Sequence, residues 1–117
     1  MHELALAESI LALVEEAARR YGGEAVKAIR LEIGALSCVD VEALRFCFDA
    51  VTRSSVAESA DLAIDRTPGE AWCMPCGERV PLAALGDPCP SCGSHQLQVK
   101  RGDAMRVKDI EIASTVC

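Results

Sequence analysis

Aromatic residues are scarce: Tyr21, Phe46, Phe48 and Trp72 are the only four in 117 residues. Any core must therefore be aliphatic, and there is no aromatic platform on which nucleic-acid bases could stack. Positive charge is short too, with 12 Lys and Arg against 18 Asp and Glu and a formal net charge of -6. A chain whose main task is to neutralise phosphates would show the opposite balance, so no nucleic-acid partner is expected. Long apolar runs are also missing. Glu3, Glu8, Glu15 and Glu16 interrupt the stretch that holds Leu4, Leu6, Ile10, Leu11, Leu13 and Val14, and no basic segment precedes it. Neither a signal peptide nor a membrane span fits, which leads us to expect a cytoplasmic protein with no membrane partner. There are no internal repeats or low-complexity stretches. No nucleophile and base stand at a recognisable spacing, so an enzyme is not expected.

What is present suggests one modest core and one staple. Leu4, Ala7, Leu11, Val14, Ala18 and Tyr21 recur at helical spacing, widened by Leu6, Ile10, Leu13 and Ala17, and Gly22-Gly23 supplies the stop. Glu15 with Arg19 and Glu16 with Arg20 form i,i+4 pairs on the polar side. Ala25, Ile29, Leu31 and Ile33 share one parity against Arg30 and Glu32, which describes a half-buried strand ending at Gly34. Asp40 reads as an N-cap, with Val39 and Leu44 placed as a hydrophobic staple, opening a helix to about Thr52 whose stripe is Val41, Leu44, Phe48 and Val51. A second strand is expected around Leu62 to Asp65, stopped by Pro68-Gly69. Met105 and Val107 have one parity, Ile110 and Ile112 the other, as in a strand with a bulge near Lys108 or Asp109 that returns to the first sheet.

Residues 67–103 have a different character. They hold four cysteines, all five prolines and five of the eight glycines among few large aliphatics, so metal rather than a core is expected to hold them. The expected fold is α+β: two helices packed on a small three-stranded sheet (1–66 plus 104–117), with an inserted four-cysteine zinc-ribbon domain (67–103). Cys73-Met-Pro-Cys76-Gly and Cys89-Pro-Ser-Cys92-Gly are two copies of one knuckle, twelve residues apart. Two ligands three residues apart grip one ion when the chain turns back between them, and the glycine after each pair lets the backbone wrap the sulfurs. In a reducing compartment an odd count of seven cysteines favours metal over disulfides. Four thiolates close a tetrahedral zinc shell with no open position, which makes Zn2+ structural; iron is the chemical rival.

His2 by itself is an unremarkable terminal histidine. Its position has particular chemistry, however: a terminal amine, the following backbone nitrogens and the His2 imidazole can close fused chelate rings in a near-planar arrangement that suits Ni(II) or Cu(II) better than zinc.

With Met1-His2-Glu3-Leu4 opening the helix, Leu31-Glu32-Ile33-Gly34 closing a strand, two CxxCG knuckles and the terminal Val107-Lys108-Asp109-Ile110-Glu111-Ile112 strand, the whole chain resembles the HypA/HybF hydrogenase nickel-incorporation family. The resemblance implies a nickel metallochaperone. It implies Ni2+ as transferred cargo, a HypB-type GTPase partner, and delivery to the nickel-iron hydrogenase large subunit or its maturation complex, with urease maturation proteins as further partners. It carries the nickel site to Met1 through its amine, to His2, to Glu3 and to Asp40, although Asp40 has a competing role as an N-cap. Because His2 is bulky, the initiator methionine is expected to be retained.

Cys38, two residues before Asp40, reads as a loop cysteine, with a role as a soft auxiliary ligand the alternative. Cys47 reads as core and Cys117 carries no role. His95 follows a complete four-cysteine shell and has no vacancy to fill; Gly77 and Gly93 stand where some relatives carry histidines, so coupling of the two metal sites through such residues is not expected. The competing function is a zinc-ribbon adaptor or nucleic-acid-binding module. Against it, residues 67–103 hold Arg79, Lys100 and Arg101 against Glu70, Glu78, Asp87 and Asp103, a net charge of -1.

Overall fold

The computed structural model describes residues 2–23 and 25–113. The elements run α1 (Glu3–Arg20), β1 (Ala25–Gly34), α2 (Val41–Val51), β2 (Asp61–Thr67), β3 (Gly69–Cys73), β4 (Glu78–Leu82), β5 (Leu97–Arg101) and β6 (Met105–Ala113). They form two three-stranded sheets, ordered β2-β1-β6 and β4-β3-β5. The α+β class expected from the sequence holds, and the last strand does return beside β1. Two compact units emerge: residues up to Leu31, Val39–Ala63 and Val107 onward in one, Glu32–Cys38 and Ile64–Arg106 in the other. Among the described residues no helix is long and apolar enough to cross a membrane.

In the first unit α1 packs against α2. The interior is aliphatic, as the shortage of aromatics required. Ile10, Val14, Ile29, Leu31 and Leu44 are almost wholly buried, and Phe48 is the aromatic that joins them. The sector of α1 that turns inward differs from the expected stripe: Glu3, Ala7, Ile10, Val14 and Ala18 are buried, whereas Leu4 and Tyr21 are 53% and 72% exposed. Apolar residues on α1 span more of the circumference than its neighbours can cover, so packing selects the sector. Arg19 pairs with Glu16 at 2.7 Å, an exposed i,i+3 contact in place of the i,i+4 partner Glu15. Val26 rather than Ala25 is buried at the start of β1, and its N–H donates to the Val56 carbonyl at 2.8 Å. The burial phase of β6 shifts between Lys108 and Asp109, where the sequence parity changes.

Asp40 caps α2, its Oδ1 accepting the Ala43 N–H at 3.1 Å, and the helix ends with Thr52 at the C-cap. The buried Thr52 hydroxyl donates to the Phe48 carbonyl at 2.8 Å, which offsets the cost of placing it in the interior. Arg45 reaches across to the Leu62 carbonyl of β2 at 2.6 Å. Cys47 is half-buried rather than a core residue, because Leu44 and Phe48 take the inward sector of α2.

The second unit holds more than the expected metal staple. β3 is the central strand of its sheet, antiparallel to β4 and β5. Its alternation buries Gly69, Ala71 and Cys73 on one face. Ala71 joins Leu36 and Leu82 in a small cluster covered by Leu97 and Val99, and Cys73 joins Val80 and Cys89 in a second. Each cluster is too small to be prominent in composition, yet together they line one face of the sheet. Backbone crossings are close at its stem. A Cβ on Gly34 would meet the Gly102 carbonyl, and Gly102 itself adopts φ +89° against the backbone of Gly69. Only glycine suits both positions.

Candidate metal centres

The cysteine centre is built from the sheet upward. β3 delivers Cys73 at its end, the chain turns, and β4 departs at Glu78, which pairs directly with Cys73. The turn closes through a 2.8 Å bond from the Gly77 N–H to the Cys73 carbonyl. The second knuckle repeats the device, with the Gly93 N–H donating to the Cys89 carbonyl at 2.8 Å. Gly77 and Gly93 have φ of +65° and +76°, and open space where a Cβ would lie. Backbone conformation, not crowding, therefore demands glycine in both. A 3.0 Å bond from the Met74 N–H to the Gln96 carbonyl fastens the first knuckle to the segment after the second.

Four sulfurs converge as a result. The Sγ atoms of Cys73, Cys76, Cys89 and Cys92 all lie within 4.8 Å of one another. Cys73 and Cys92 are 3.6 Å apart and Cys76 and Cys89 3.9 Å. A tetrahedral shell with zinc-sulfur bonds of about 2.3 Å has edges of about 3.8 Å, so these separations fit zinc. They are nearly twice a disulfide bond.

Charge supports the same fit. The neighbouring Cys92 thiol, followed by Cys73, pushes Cys76 up to about 12. The backbone N–H of Cys92, aided by that of Ser91 despite burial, brings Cys89 down to about 7. One thiolate is readily accommodated and a second beside it is not; a divalent cation supplies the missing positive charge. Cys73 and Cys89 are buried, Cys76 is half-buried and Cys92 exposed. His95 is exposed and outside the cluster.

At the chain start the construction is different. Met1 lies outside the described residues, as does Cys117. His2 is exposed and precedes α1, its carbonyl accepting the Leu6 N–H at 2.8 Å to begin the helix. Glu3, the first helical residue, is only 8% exposed. Its Oε2 accepts the backbone N–H of Asp40 at 3.1 Å. That N–H, with Glu3's own backbone next, holds the carboxyl below the usual carboxylate range. Glu3 is thus an anion at neutral pH, and the contact weakens only on acidification through that lowered value. Asp40 is exposed, and its cap bond to Ala43 coexists with the contact to Glu3. Cys38 is an exposed loop residue at φ +61°, its sulfur 3.8 Å from the Leu36 carbonyl. Glu3 and Asp40 are therefore brought together, with His2 beside Glu3 in the chain. No sequence pattern signals the contact, since its partners are 37 positions apart.

Comparison with known proteins covers nearly the whole chain. Residues 1–112 match the family described as hydrogenase/urease nickel incorporation, metallochaperone, hypA. Over 112 residues the chain is 54% identical to the hydrogenase maturation factor HypA of Dechloromonas aromatica (strain RCB), covering 96% of this chain and 99% of the relative. It is 51% identical, with the same coverage, to the hydrogenase maturation factor HypA of Azotobacter vinelandii. The solution structure of the Ni metallochaperone HypA from Helicobacter pylori is similar with a TM-score of 0.69 at 27% identity, over 97% of this chain and 99% of that one.

Proposed function

The chain belongs to the HypA family of nickel metallochaperones, and we propose that it takes up Ni(II) at its N-terminus and passes it on together with a HypB-type GTPase. It is a factor of hydrogenase maturation and not an enzyme. The nickel ligands in this reading are the Met1 amine, His2 through its imidazole and backbone nitrogen, Glu3 through its backbone nitrogen, and Asp40 through its carboxylate. The observation that carries it is the bond between Glu3 and the Asp40 N–H, which supports drawing one site from residues so distant in sequence. Nitrogen donors closing small chelate rings favour a near-planar, low-spin Ni(II) complex.

The four cysteines, Cys73, Cys76, Cys89 and Cys92, are the zinc ligands in the same reading, holding Zn2+ for structure within an inserted domain over residues 67–103. Transfer and retention ask for opposite properties. A closed tetrathiolate shell offers no vacancy for ligand exchange, whereas exposed His2 lets an incoming partner ligand displace a donor. Copper outcompetes nickel on such ligands, so selectivity comes from docking and metal availability. We place this work in the cytoplasm. The receiving partner is the nickel-iron hydrogenase large subunit or its maturation complex, with urease maturation proteins as further clients.

The test is a nickel titration of untagged, zinc-loaded protein beside His2→Ala and a variant with an N-terminal extension, followed by the visible absorption of the ion. Low-spin binding by the native chain and its loss in both altered proteins is the expected result. Equal binding by all three removes the nickel assignment and leaves the zinc-ribbon adaptor as the better reading.

A further inference from the structure

The N-terminus of α2 is capped by two carboxylates from different parts of the chain. In a capping box, the N-cap side chain accepts the N–H of the third helical residue, and a Glu or Gln at that third position returns the favour to the N–H of the N-cap. Asp40 fulfils the first half through the 3.1 Å bond from Ala43. Ala43, at the third position, has no side chain able to fulfil the second. Glu3 supplies it instead, accepting the Asp40 N–H at 3.1 Å from the first turn of α1.

We propose that the Glu3 carboxylate is a positioning residue of the nickel site, acting through the cap of α2 to hold Asp40 at the chain start rather than by bonding the metal. The proposal rests on the nickel reading above and deepens it. A carboxylate in a residue this buried is costly unless it is hydrogen-bonded, and here the bond is made to backbone. The first turn of α1 also favours negative charge at Glu3. Both effects commit this side chain to the protein before any metal arrives. Asp40 is differently placed: its side chain is exposed, and it holds α2 through a single oxygen, Oδ1.

The roles separate in Glu3→Gln and Glu3→Ala. A glutamine keeps an oxygen acceptor at the same reach but is a much poorer nickel donor than a carboxylate; alanine has neither. Nickel-free, zinc-loaded protein is examined first, by amide hydrogen exchange. Exchange at Asp40 and Ala43 should accelerate about tenfold or more in Glu3→Ala and stay close to wild type in Glu3→Gln. In the nickel titration, Glu3→Gln should keep the absorption spectrum and bind within about threefold of wild type, while Glu3→Ala should weaken binding about tenfold with the same band positions. The proposal is overturned if Glu3→Gln loses nickel or shifts the bands as Glu3→Ala does, since the carboxylate would then be a ligand. It is equally overturned if amide exchange is unchanged in Glu3→Ala. Failure of wild type itself to bind nickel would sink the nickel reading, and the exchange arm would still report on the cap.

Discussion

The cysteine centre and the chain start bring their side chains together in opposite ways. At the cysteine centre each pair is three residues apart, each turn is closed by a glycine in a left-handed conformation, and the sulfurs meet with separations of 3.6 and 3.9 Å. At the chain start, residues 37 positions apart meet through one hydrogen bond between a carboxylate and a backbone N–H. The first arrangement makes every donor part of a closed shell with a strong local template. The second leaves His2 and the Asp40 side chain exposed, with Glu3 at the start of α1 bonded to the Asp40 N–H ahead of α2. A closed shell suits an ion that is kept, and the open arrangement suits the nickel site proposed above, which must give its ion up.

Removing zinc should break the comparison most severely. Structural zinc contributes about 10–16 kcal/mol in small finger peptides, far more than the two small apolar clusters of this unit can replace. Strong chelation is expected to release the amides of β3, β4 and β5 to fast exchange while those of α1 stay protected. Simultaneous loss of both would contradict the separation. Acid should act in the same direction. Cys76, held up at about 12, and Cys73, also raised despite the helpful N–H of Cys76, are protonated at neutral pH without a cation. Zinc binding must therefore expel at least these two protons. Lowering the pH opposes that release, and a chromogenic chelator should capture zinc progressively more readily as pH falls.

Gly34→Ala should have the next largest effect. The new methyl group would collide with the Gly102 carbonyl, a backbone neighbour that cannot rotate away. A loss of about 3 kcal/mol in denaturant unfolding is expected, carried by the unit that contains the cysteines. An unaltered unfolding midpoint would show that the stem yields more easily than its close approach implies.

Asp40 permits the finest distinction. Asp40→Ala should cost about 1 kcal/mol through loss of the α2 cap and should also weaken nickel binding. Asp40→Asn restores a good cap without the anionic donor. Recovery of thermal stability without recovery of nickel affinity would separate the two roles; recovery of both would confine Asp40 to capping.

Much of this architecture was legible because its causes are local. The Asp40 N-cap, the apolar positions Leu44 and Phe48, and the change of parity at Lys108 and Asp109 each follow from periodicities of a few residues. The exposed sides of α1 were harder to read, since Leu4 and Tyr21 fit the helical spacing as well as Ala7 and Val14 do. Ala71, Val80 and Leu82 leave no core signature in the sequence for a related reason: strands of five residues present too few alternations to stand out among prolines and glycines. The Glu3 contact had no local trace at all.

The sequence by itself determined the four-sulfur cage, because two tight turns with glycine at positive φ carry almost all the information needed to aim the sulfurs. Tertiary structure alone decided that Glu3 completes the cap of α2. Which acceptor meets the Asp40 N–H depends on how α1 and α2 pack, and that is settled by burial of Ile10, Val14, Leu44 and Phe48 across the core rather than by any spacing along the chain.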